Sequence, residues 1–374
     1  TIGSRVFAGS VPDRDSAVVE RLRAAGAIIL GKTNMPEFGV GAENSWSPLL
    51  GHTRNPWNTE RVVGATSGGA AAALAAALCP LATGSDGGGS CRVPASFTGV
   101  LGMKPTQGLV PRVGGYGKPA ANLFAQTSPM ANTVEDLAVM FNVLVGFDRR
   151  DPSSIRDPIR IDDLRLEPLR GLRVAFAWKE DGVGEPAQAA LVNRAVEVLE
   201  SHGARVTREL DLQIGNTHDI AKTLRYAEFF ASYGHCLSEA PDVLTERTRT
   251  VLDAAVQVGG ADYCRALRHL QEVRCAFDDV MVDCDLLVTP AASGPPRTIA
   301  DVEATAGFKH QRFSPIFNLT GQPAVTVPFG TIDGLPMGVQ VVARRLEDAL
   351  VFRAAAALEA ASPYRWSPMA MATG

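Results

Sequence analysis

Apolar residues recur at helical spacing in some segments of the chain and fill short unbroken runs in others. Segment 14–25 has the first pattern, and the run Ala27–Leu30 has the second, which is typical of a buried strand. The same reasoning predicts helices at 68–79, 134–147, 186–202 and 347–361, and strands at 81–85, 172–177, 204–210, 285–289, 323–329 and 336–343. This alternation favours an α/β fold with a sheet covered on both faces.

The segment from about 216 to 282 departs from the alternation, because its pattern is almost entirely helical. We expect five of its apolar residues to be core contacts rather than a cofactor-binding surface: Leu224, Phe229, Leu267, Leu270 and Val280. Segment 148–170 is rich in proline, arginine and aspartate, which makes it the best candidate for a domain boundary.

Three glycines directly precede a serine in the stretch Asp86-Gly-Gly-Gly-Ser90. Glycine leaves its backbone N–H group uncovered and adopts angles that other residues avoid, so Gly87, Gly88 and Gly89 can turn several donors toward one oxygen. A nucleophile at the end of such a loop attacks a carbonyl whose developing charge is already stabilised. Taken alone, the stretch fits a glycine-rich turn with a solvated serine equally well.

A second hydroxyl-bearing segment, Gly64-Ala-Thr-Ser-Gly-Gly69, opens the alanine-rich run Ala70–Leu78. Thr66 and Ser67 therefore lie where the first N–H groups of a helix are unpaired and the positive end of its dipole is located. Such a position orders hydroxyl groups and favours nearby negative charge. An ordinary helix-capping pair is the alternative interpretation.

Together with their flanks, these segments resemble the amidase signature family, whose pattern is Gly-Gly-Ser-Ser-Gly-Gly, then Asp-x-Gly-Gly-Ser, then Gly-Leu-Lys-Pro-Thr. The similar stretches here are GATSGG at 64–69, DGGGS at 86–90, GMKPT at 102–106, DRDSAVVERLRAAGAIILGKTNMPEF at 13–38, GHTRNPWN at 51–58, TSPMANTVEDLA at 127–138, DLLVTP at 285–290 and NLTGQPAVTVP at 318–328. The resemblance covers nearly the whole chain and is weakest from about 150 to 280. It implies a mixed central β-sheet with helices on both faces and a helical insertion over the pocket.

The resemblance also implies a single amidase domain over 1–374. Its signature core spans about 1–150 and 285–374, and about 180–284 is more variable and largely helical. In the folds that this chain resembles, the helical insertion sets the acyl specificity. The residues that we expect to line the pocket, each of them also a candidate for the core, are Trp46, Leu49, Leu50, Tyr116, Phe124, Tyr226 and Phe313.

Residue by residue, the resemblance assigns Ser90 as the nucleophile, the amides of Gly87, Gly88, Gly89 and Ser90 as the oxyanion hole, Thr66 as the bridging hydroxyl, and Ser67, Asp86 and Arg92 as supporting residues. The family has a serine beside a cis peptide bond where this chain has Thr66. Threonine keeps a hydroxyl that can pass a proton, but its methyl group restricts rotation about χ1. Asp86 and Arg92 are interpreted either as a pair that fixes the loop or as an ordinary, partly exposed ion pair.

The family's general base is a lysine that precedes a Thr-x-Gly-Ser stretch. Here that stretch is Thr1-Ile-Gly-Ser4, so we expect this sequence to lack the lysine through truncation. A serine hydroxyl needs a base at neutral pH, and a lysine serves only where burial lowers its pKa. Lys32 and Lys104 match family positions that are not the base, and neither is a convincing substitute.

Other catalytic and nucleotide-binding patterns fit poorly. No lysine follows a serine at Ser-x-x-Lys spacing, and Gly88-Gly-Ser-Cys-Arg92 breaks the Gly-x-Ser-x-Gly pattern. Gly26–Thr33 matches the letters of a phosphate-binding loop, but its inner residues are apolar and typical of a strand.

Composition reduces the number of functional classes that fit the chain. The chain has 374 residues, 46% of them apolar, and a net charge of −4, which allows a large core but indicates no basic surface for nucleic acid. No apolar run is long enough for a membrane span. We expect no metal or cofactor, because the histidines lack metal-site spacing and no Cys-x-x-Cys pair occurs.

Two individual residues invite a functional interpretation that we do not favour. His52 is expected to be a hydrogen-bonded loop residue rather than part of the pocket. Cys91, beside Ser90, is expected to be a small buried filler. With no signal peptide visible, we interpret the cysteines as reduced thiols of a cytoplasmic protein.

The sequence therefore predicts a hydrolase of small carboxylic amides, with esters as an extension, in which Ser90 forms an acyl-enzyme. One alternative is a catalytically impaired amidase-like protein. Another is the amidase component of a complex that passes ammonia to a partner acting on charged transfer RNA, although segment 215–240 does not resemble that branch. A homodimer is the oligomer that we keep open for the stand-alone enzyme.

Overall fold

The computed structural model describes residues 1–40, 43, 45–114, 124–156, 159–162, 169–179, 184–212, 217–305 and 313–364. Within these residues the strands are β1 Trp46–Ser47, β2 Gly51–His52, β3 Arg54–Asn55, β4 Asn58–Val62, β5 Leu81–Asp86, β6 Leu101–Lys104, β7 Gln126–Ala131, β8 Arg173–Lys179, β9 Arg205–Asp211, β10 Leu286–Pro290, β11 Ala324–Ile332 and β12 Leu335–Ala343. The helices are α1 Ala17–Ala24, α2 Gly68–Ala75, α3 Arg92–Thr98, α4 Val134–Leu144, α5 Pro186–Ser201, α6 Thr217–Tyr233, α7 Cys236–Glu239, α8 Glu246–Ala255, α9 Gly260–Met281, α10 Ile299–Ala304, α11 Pro315–Thr320 and α12 Asp348–Ala361.

Eight strands form one sheet in the order β5-β7-β6-β11-β12-β10-β8-β9. Strand β8 pairs in parallel with β9 and β10, and the other neighbouring strands of this sheet pair antiparallel. The predicted mixed sheet is therefore confirmed.

Both faces of this sheet are covered, and the strands alternate between two cores. Leu286 and Val288 of β10 join the cluster that includes buried residues of α4, α5 and α12, whereas Leu287 joins the cluster with α6, α9 and α11. Successive side chains of a strand point to opposite faces, so a strand that is buried on both sides is apolar throughout. This is why the sequence shows these strands as unbroken apolar runs.

Helix starts follow local hydrogen bonding. The Ser16 hydroxyl accepts from the Val19 amide at the start of α1, and the Thr133 hydroxyl accepts from the Asp136 amide at the start of α4. Helix α2 ends at Ala75, before the predicted end at 79, because Ala77 takes a left-handed backbone conformation with φ 57°.

Two expectations from the pattern are wrong. Ala27–Leu30 forms no strand, and Ile28 and Leu30 are 86% and 72% exposed, because an apolar run becomes a buried strand only where a neighbouring strand and a covering face are available. Val280 lies beside the buried stripe of α9, which ends on Met281. The other predicted contacts, Leu224, Phe229, Leu267 and Leu270, lie in or against buried clusters.

Lys104 ends β6 with its side chain fully buried, and its ammonium group donates to the Pro105 carbonyl at 2.9 Å. Burial and, to a smaller extent, the charge of Arg92 lower the pKa of Lys104, while Asp86 and Asp348 act in the opposite direction, and the result is a pKa of about 7. The lysine is therefore held at the border between its charged and neutral forms near neutral pH.

The wild type is expected to become more stable as the pH rises, and the Lys104→Met variant is expected to lack this rise. Between pH 7 and the ordinary lysine pKa, the unfolded chain binds a proton that the folded chain lacks, so the free energy of unfolding rises with pH. Between pH 7 and pH 9 this amounts to roughly 2 kcal/mol. Urea unfolding at both pH values should show the rise in the wild type and in the exposed-lysine control Lys222→Met. An equal rise in the free energy of unfolding of Lys104→Met would contradict the lowered pKa of Lys104.

Candidate active site

The structure brings the two hydroxyl-bearing segments together. Ser90 is half-buried in the turn between β5 and α3. The Ser67 amide, at the start of α2, donates to the Ser90 carbonyl at 3.1 Å. Segments that are far apart in the sequence thus meet at the candidate nucleophile.

Ser67 connects the start of α2 to the end of β5 through hydrogen bonds. Its hydroxyl donates to the Ser85 carbonyl and accepts from the Ser85 amide, both at 3.0 Å. The close approach depends on Gly84, where a Cβ atom would lie 2.8 Å from the Ser67 Oγ. Ser67 therefore positions the backbone around Ser90 and does not cap the helix with its side chain.

Thr66 directly precedes Ser67 and is half-buried. Its Cγ2 methyl group faces Gly39, 3.9 Å from the position that a Cβ atom would take there. The described backbone contains no cis peptide bond, so the cis bond implied by the resemblance is absent at Thr66.

The side chains of Asp86 and Arg92 are both fully buried. Arg92 donates from Nε to Asp86 Oδ2 at 2.8 Å and from Nη2 to Asp86 Oδ1 at 2.9 Å. Burial alone would raise the pKa of Asp86, but the Arg92 charge and hydrogen bonds from Arg92, Gly89 and Asn318 hold that pKa well below its ordinary value. The pair therefore fixes the loop and is not a partly exposed ion pair.

Three residues that sequence reasoning did not single out complete this network. Arg92 Nη2 also donates to Asn318 Oδ1 at 2.7 Å and to the Ser314 carbonyl at 3.1 Å, and Arg92 Nη1 donates to Gln340 Oε1. Asn318 Nδ2 returns a hydrogen bond to the Asp86 carbonyl at 2.8 Å. The available signal was a polar residue inside a buried run, since buried polar groups need partners.

The glycines do not all point their amides at one oxygen. The Gly89 N–H donates to Asp86 Oδ1 at 2.7 Å, so this amide is already engaged, and its assignment to the oxyanion hole stays a prediction. Gly89 has φ +103°, and a Cβ atom there would lie 2.5 Å from the Ser314 Cβ, so no other residue fits. The amides of Gly87, Gly88 and Ser90 donate to no described residue.

A buried guanidinium group from the helical region also reaches this turn. Arg225 of α6 lies against Gly88, where a Cβ atom would be 2.8 Å from its Nη2. Arg225 belongs to the variable segment and carries no motif, so nothing in the sequence pointed to it.

Two secondary expectations are confirmed. His52 is paired as expected, because its Nε2 lies 2.9 Å from Glu303 Oε1, although it lies in the short strand β2 and not in a loop. Cys91 is fully buried, and burial raises the pKa of its thiol well above the ordinary value, with Asp86 adding to the effect. A buried thiol of this kind is unreactive.

The expected pocket lining is dispersed. Leu49 and Leu50 line a cavity of about 290 Å³ together with Lys32, and Ser90 is not among its lining residues. Phe124 and Phe313 are fully buried in the core. The remaining three are Trp46, which is tilted against His52, Tyr226, which is half-buried, and Tyr116, which lies outside the described residues.

Within the described residues, no group of histidine, cysteine and acidic side chains could hold a metal ion. In the same part of the chain, no helix has both the length and the apolar character needed to cross a membrane.

Comparison with known proteins gives a consistent result. The family model for amidases matches residues 1–352. A glutamyl-tRNA(Gln) amidotransferase component from Methanosarcina acetivorans is 36% identical over 97% of this chain and 81% of that protein. These matches cover both hydroxyl-bearing segments and the helical region between 217 and 282.

Solved structures agree. An inhibitor-bound structure, described as a vestigial protein complex that reveals the evolutionary origins of an s-triazine catabolic enzyme, has a TM-score of 0.88 and 31% identity, covering 98% of this chain and 81% of that one. A bacterial aryl acylamidase of the amidase signature family has a TM-score of 0.85 and 29% identity, covering 98% and 78%. The fold, the motifs and these matches together show that the chain belongs to the amidase signature family.

Proposed function

We propose that this chain hydrolyses carboxylic amides with Ser90 as its nucleophile. The observation that carries the proposal is the Ser90 turn, which the buried Asp86–Arg92 pair fixes and in which the amides of Gly87, Gly88 and Ser90 donate to no described residue. Donors held in place before the reaction cost no reorganisation when charge develops. Membership of the amidase signature family supports the reaction class.

In the proposed reaction, the Ser90 Oγ adds to the amide carbonyl carbon while its proton passes to the Thr66 hydroxyl and on to a base. The amides of Gly87, Gly88 and Ser90 stabilise the resulting oxyanion. The carbon–nitrogen bond then breaks as the leaving amine takes a proton, which leaves an ester on Ser90. Water attacks this ester and releases the carboxylic acid.

The electrostatics of the turn support this assignment. The Asp86 charge is compensated by Arg92. The N-terminal end of α2, where the helix dipole is positive, contacts Ser90 through the Ser67 amide. The surroundings therefore favour a negatively charged intermediate.

Neither candidate lysine is assigned as the base. The Lys104 ammonium group donates to the Pro105 carbonyl, and Lys32 lines a cavity whose lining includes neither Ser90 nor Thr66. The lowered pKa of Lys104 follows from its burial in the sheet and is not evidence of contact with Ser90.

The Ser90→Ala variant is expected to lose at least about a thousandfold in the rate of aryl amide hydrolysis, because no acyl-enzyme can form. Release of the aryl amine measures the rate, and intact mass after mixing with an activated ester detects the acyl group. Ser85→Ala is the matched control, since this nearby residue is exposed and engages Ser67 through its backbone only. Equal rates for Ser90→Ala and the wild type would remove Ser90 from the mechanism.

Replacing Thr66 tests the proposed proton relay. Thr66→Val keeps the shape but removes the hydroxyl and should lower kcat by about 10²- to 10⁴-fold with little change in KM. Thr66→Ser keeps the hydroxyl, frees its χ1 rotation and should match or exceed the wild type. Steady-state kinetics on the same aryl amide give both constants, and an undiminished kcat for Thr66→Val would rule out the relay.

A second candidate function is the release of ammonia from glutamine for a partner protein. It is favoured by the relative that is named as part of a glutamyl-tRNA(Gln) amidotransferase. If this function holds, purified chain should hydrolyse glutamine slowly and aryl amides hardly at all. A homodimer in size-exclusion chromatography that turns over aryl amides without a partner would count against it.

A further inference from the structure

Arg225 lies directly over the side of Gly88 from which a side chain would project. A Cβ atom on Gly88 would be 2.8 Å from Arg225 Nη2 and 3.3 Å from both Cζ and Nη1. Gly88 precedes Ser90 by two residues. Helix α6 thus places a guanidinium group beside the turn that carries the candidate nucleophile.

One edge of this guanidinium group is buried and has no partner among the described residues. Its Nε and Nη2 atoms are shielded from solvent and form no hydrogen bond there. The acidic group that acts on Arg225 electrostatically is Asp86, whose carboxylate is already held by Arg92. Glu228, one turn further along α6, acts on Arg112. A buried charge without a hydrogen-bonded partner is costly, so a partner supplied by a ligand accounts for its presence.

The Nε–Nη2 edge of Arg225, which has no hydrogen-bonded partner among the described residues, has the geometry of a carboxylate receptor. Arg92 uses the same two nitrogens, Nε and Nη2, to hold both oxygens of Asp86. Paired N–H groups on one edge of a guanidinium match the two oxygens of a carboxylate in spacing and direction. Arg225 thus presents the same pair of nitrogens that Arg92 uses for Asp86, and at Arg225 this pair has no hydrogen-bonded partner among the described residues.

We propose that Arg225 binds a carboxylate on the acyl part of the substrate, so that the substrates are short monoamides of dicarboxylic acids. The inference rests on the proposed function, because it takes Ser90 as the site of acyl transfer. Consecutive Cα atoms are about 3.8 Å apart, so the Cα atoms of Gly88 and Ser90 are at most about 7.6 Å apart. Only a short chain therefore fits between the scissile carbonyl and the carboxylate.

Binding of the product-like anion tests Arg225 without any reaction. Calorimetry with succinate should show binding to the wild type, and Arg225→Met should weaken it about 10- to 100-fold. Butyramide, which has no carboxylate, should bind the two proteins alike. The matched control is Arg274→Met, because Arg274 of α9 is already bonded from Nε to the Leu319 carbonyl at 3.0 Å and from Nη2 to Gln107 Oε1 at 3.2 Å.

Thermal unfolding separates a substrate-binding role from a structural one. Arg225→Met removes a buried charge that lacks a hydrogen-bonded partner at Nε and Nη2, so it should leave Tm unchanged or raise it. Arg274→Met breaks existing hydrogen bonds and should lower Tm while succinate affinity persists. A fall in Tm for Arg225→Met with unchanged succinate affinity would overturn the proposal.

Turnover completes the test. The ratio of kcat/KM for succinamate to that for butyramide should be high in the wild type and should fall about 10- to 100-fold in Arg225→Met, while butyramide hydrolysis persists. A ratio that Arg225→Met leaves unchanged would overturn the carboxylate assignment and leave amide hydrolysis standing. Succinate binding that depends on Arg225, in a protein whose Ser90→Ala variant is as active as the wild type, would instead overturn only the proposed nucleophile.

Discussion

The ion pair between Asp86 and Arg92 is the constraint on which the candidate site depends. Both side chains are fully buried, and removing one partner of such a pair typically costs about 3–5 kcal/mol because an uncompensated charge remains. Asp86 also accepts from the Gly89 amide, so the pair sets the backbone of the loop as well as the packing beneath it. The position of Ser90 follows from this bond.

Arg92 also joins distant parts of the chain. Its remaining donors reach the Ser314 carbonyl, Asn318 in α11 and Gln340 in β12. A single guanidinium thereby connects the turn after an edge strand to the centre of the sheet and to the helix above it. Because the network is fully hydrogen-bonded, it rigidifies the loop instead of straining it.

Arg225 stands in contrast to Arg92. Both are buried beside the same five-residue loop, yet one has a complete set of partners and the other has none among the described residues at Nε and Nη2. On the proposed assignment, Arg92 builds the site and Arg225 is available to a ligand. Under the proposed carboxylate site, the helical region would set specificity while the signature core supplies the chemistry.

The sequence by itself determined the α/β class, most of the long elements and the identity of the family, because burial on both faces and helical spacing leave direct marks on apolar residues. Strands β6 and β7 and helices α3 and α11 were missed. Pro129 interrupts β7, and Pro94 and Pro315 interrupt or open the two helices, so local propensity argued against elements that tertiary packing stabilises.

Tertiary structure alone decided the rest. The motif letters indicated Ser90, Thr66, Asp86 and Arg92, but they could not show that Gly89 gives its amide to Asp86 or that Arg225 comes to lie on Gly88. Those facts depend on contacts between residues far apart in the chain. Whether a buried polar group finds a hydrogen-bonded partner is decided only when the folded backbone places the groups around it.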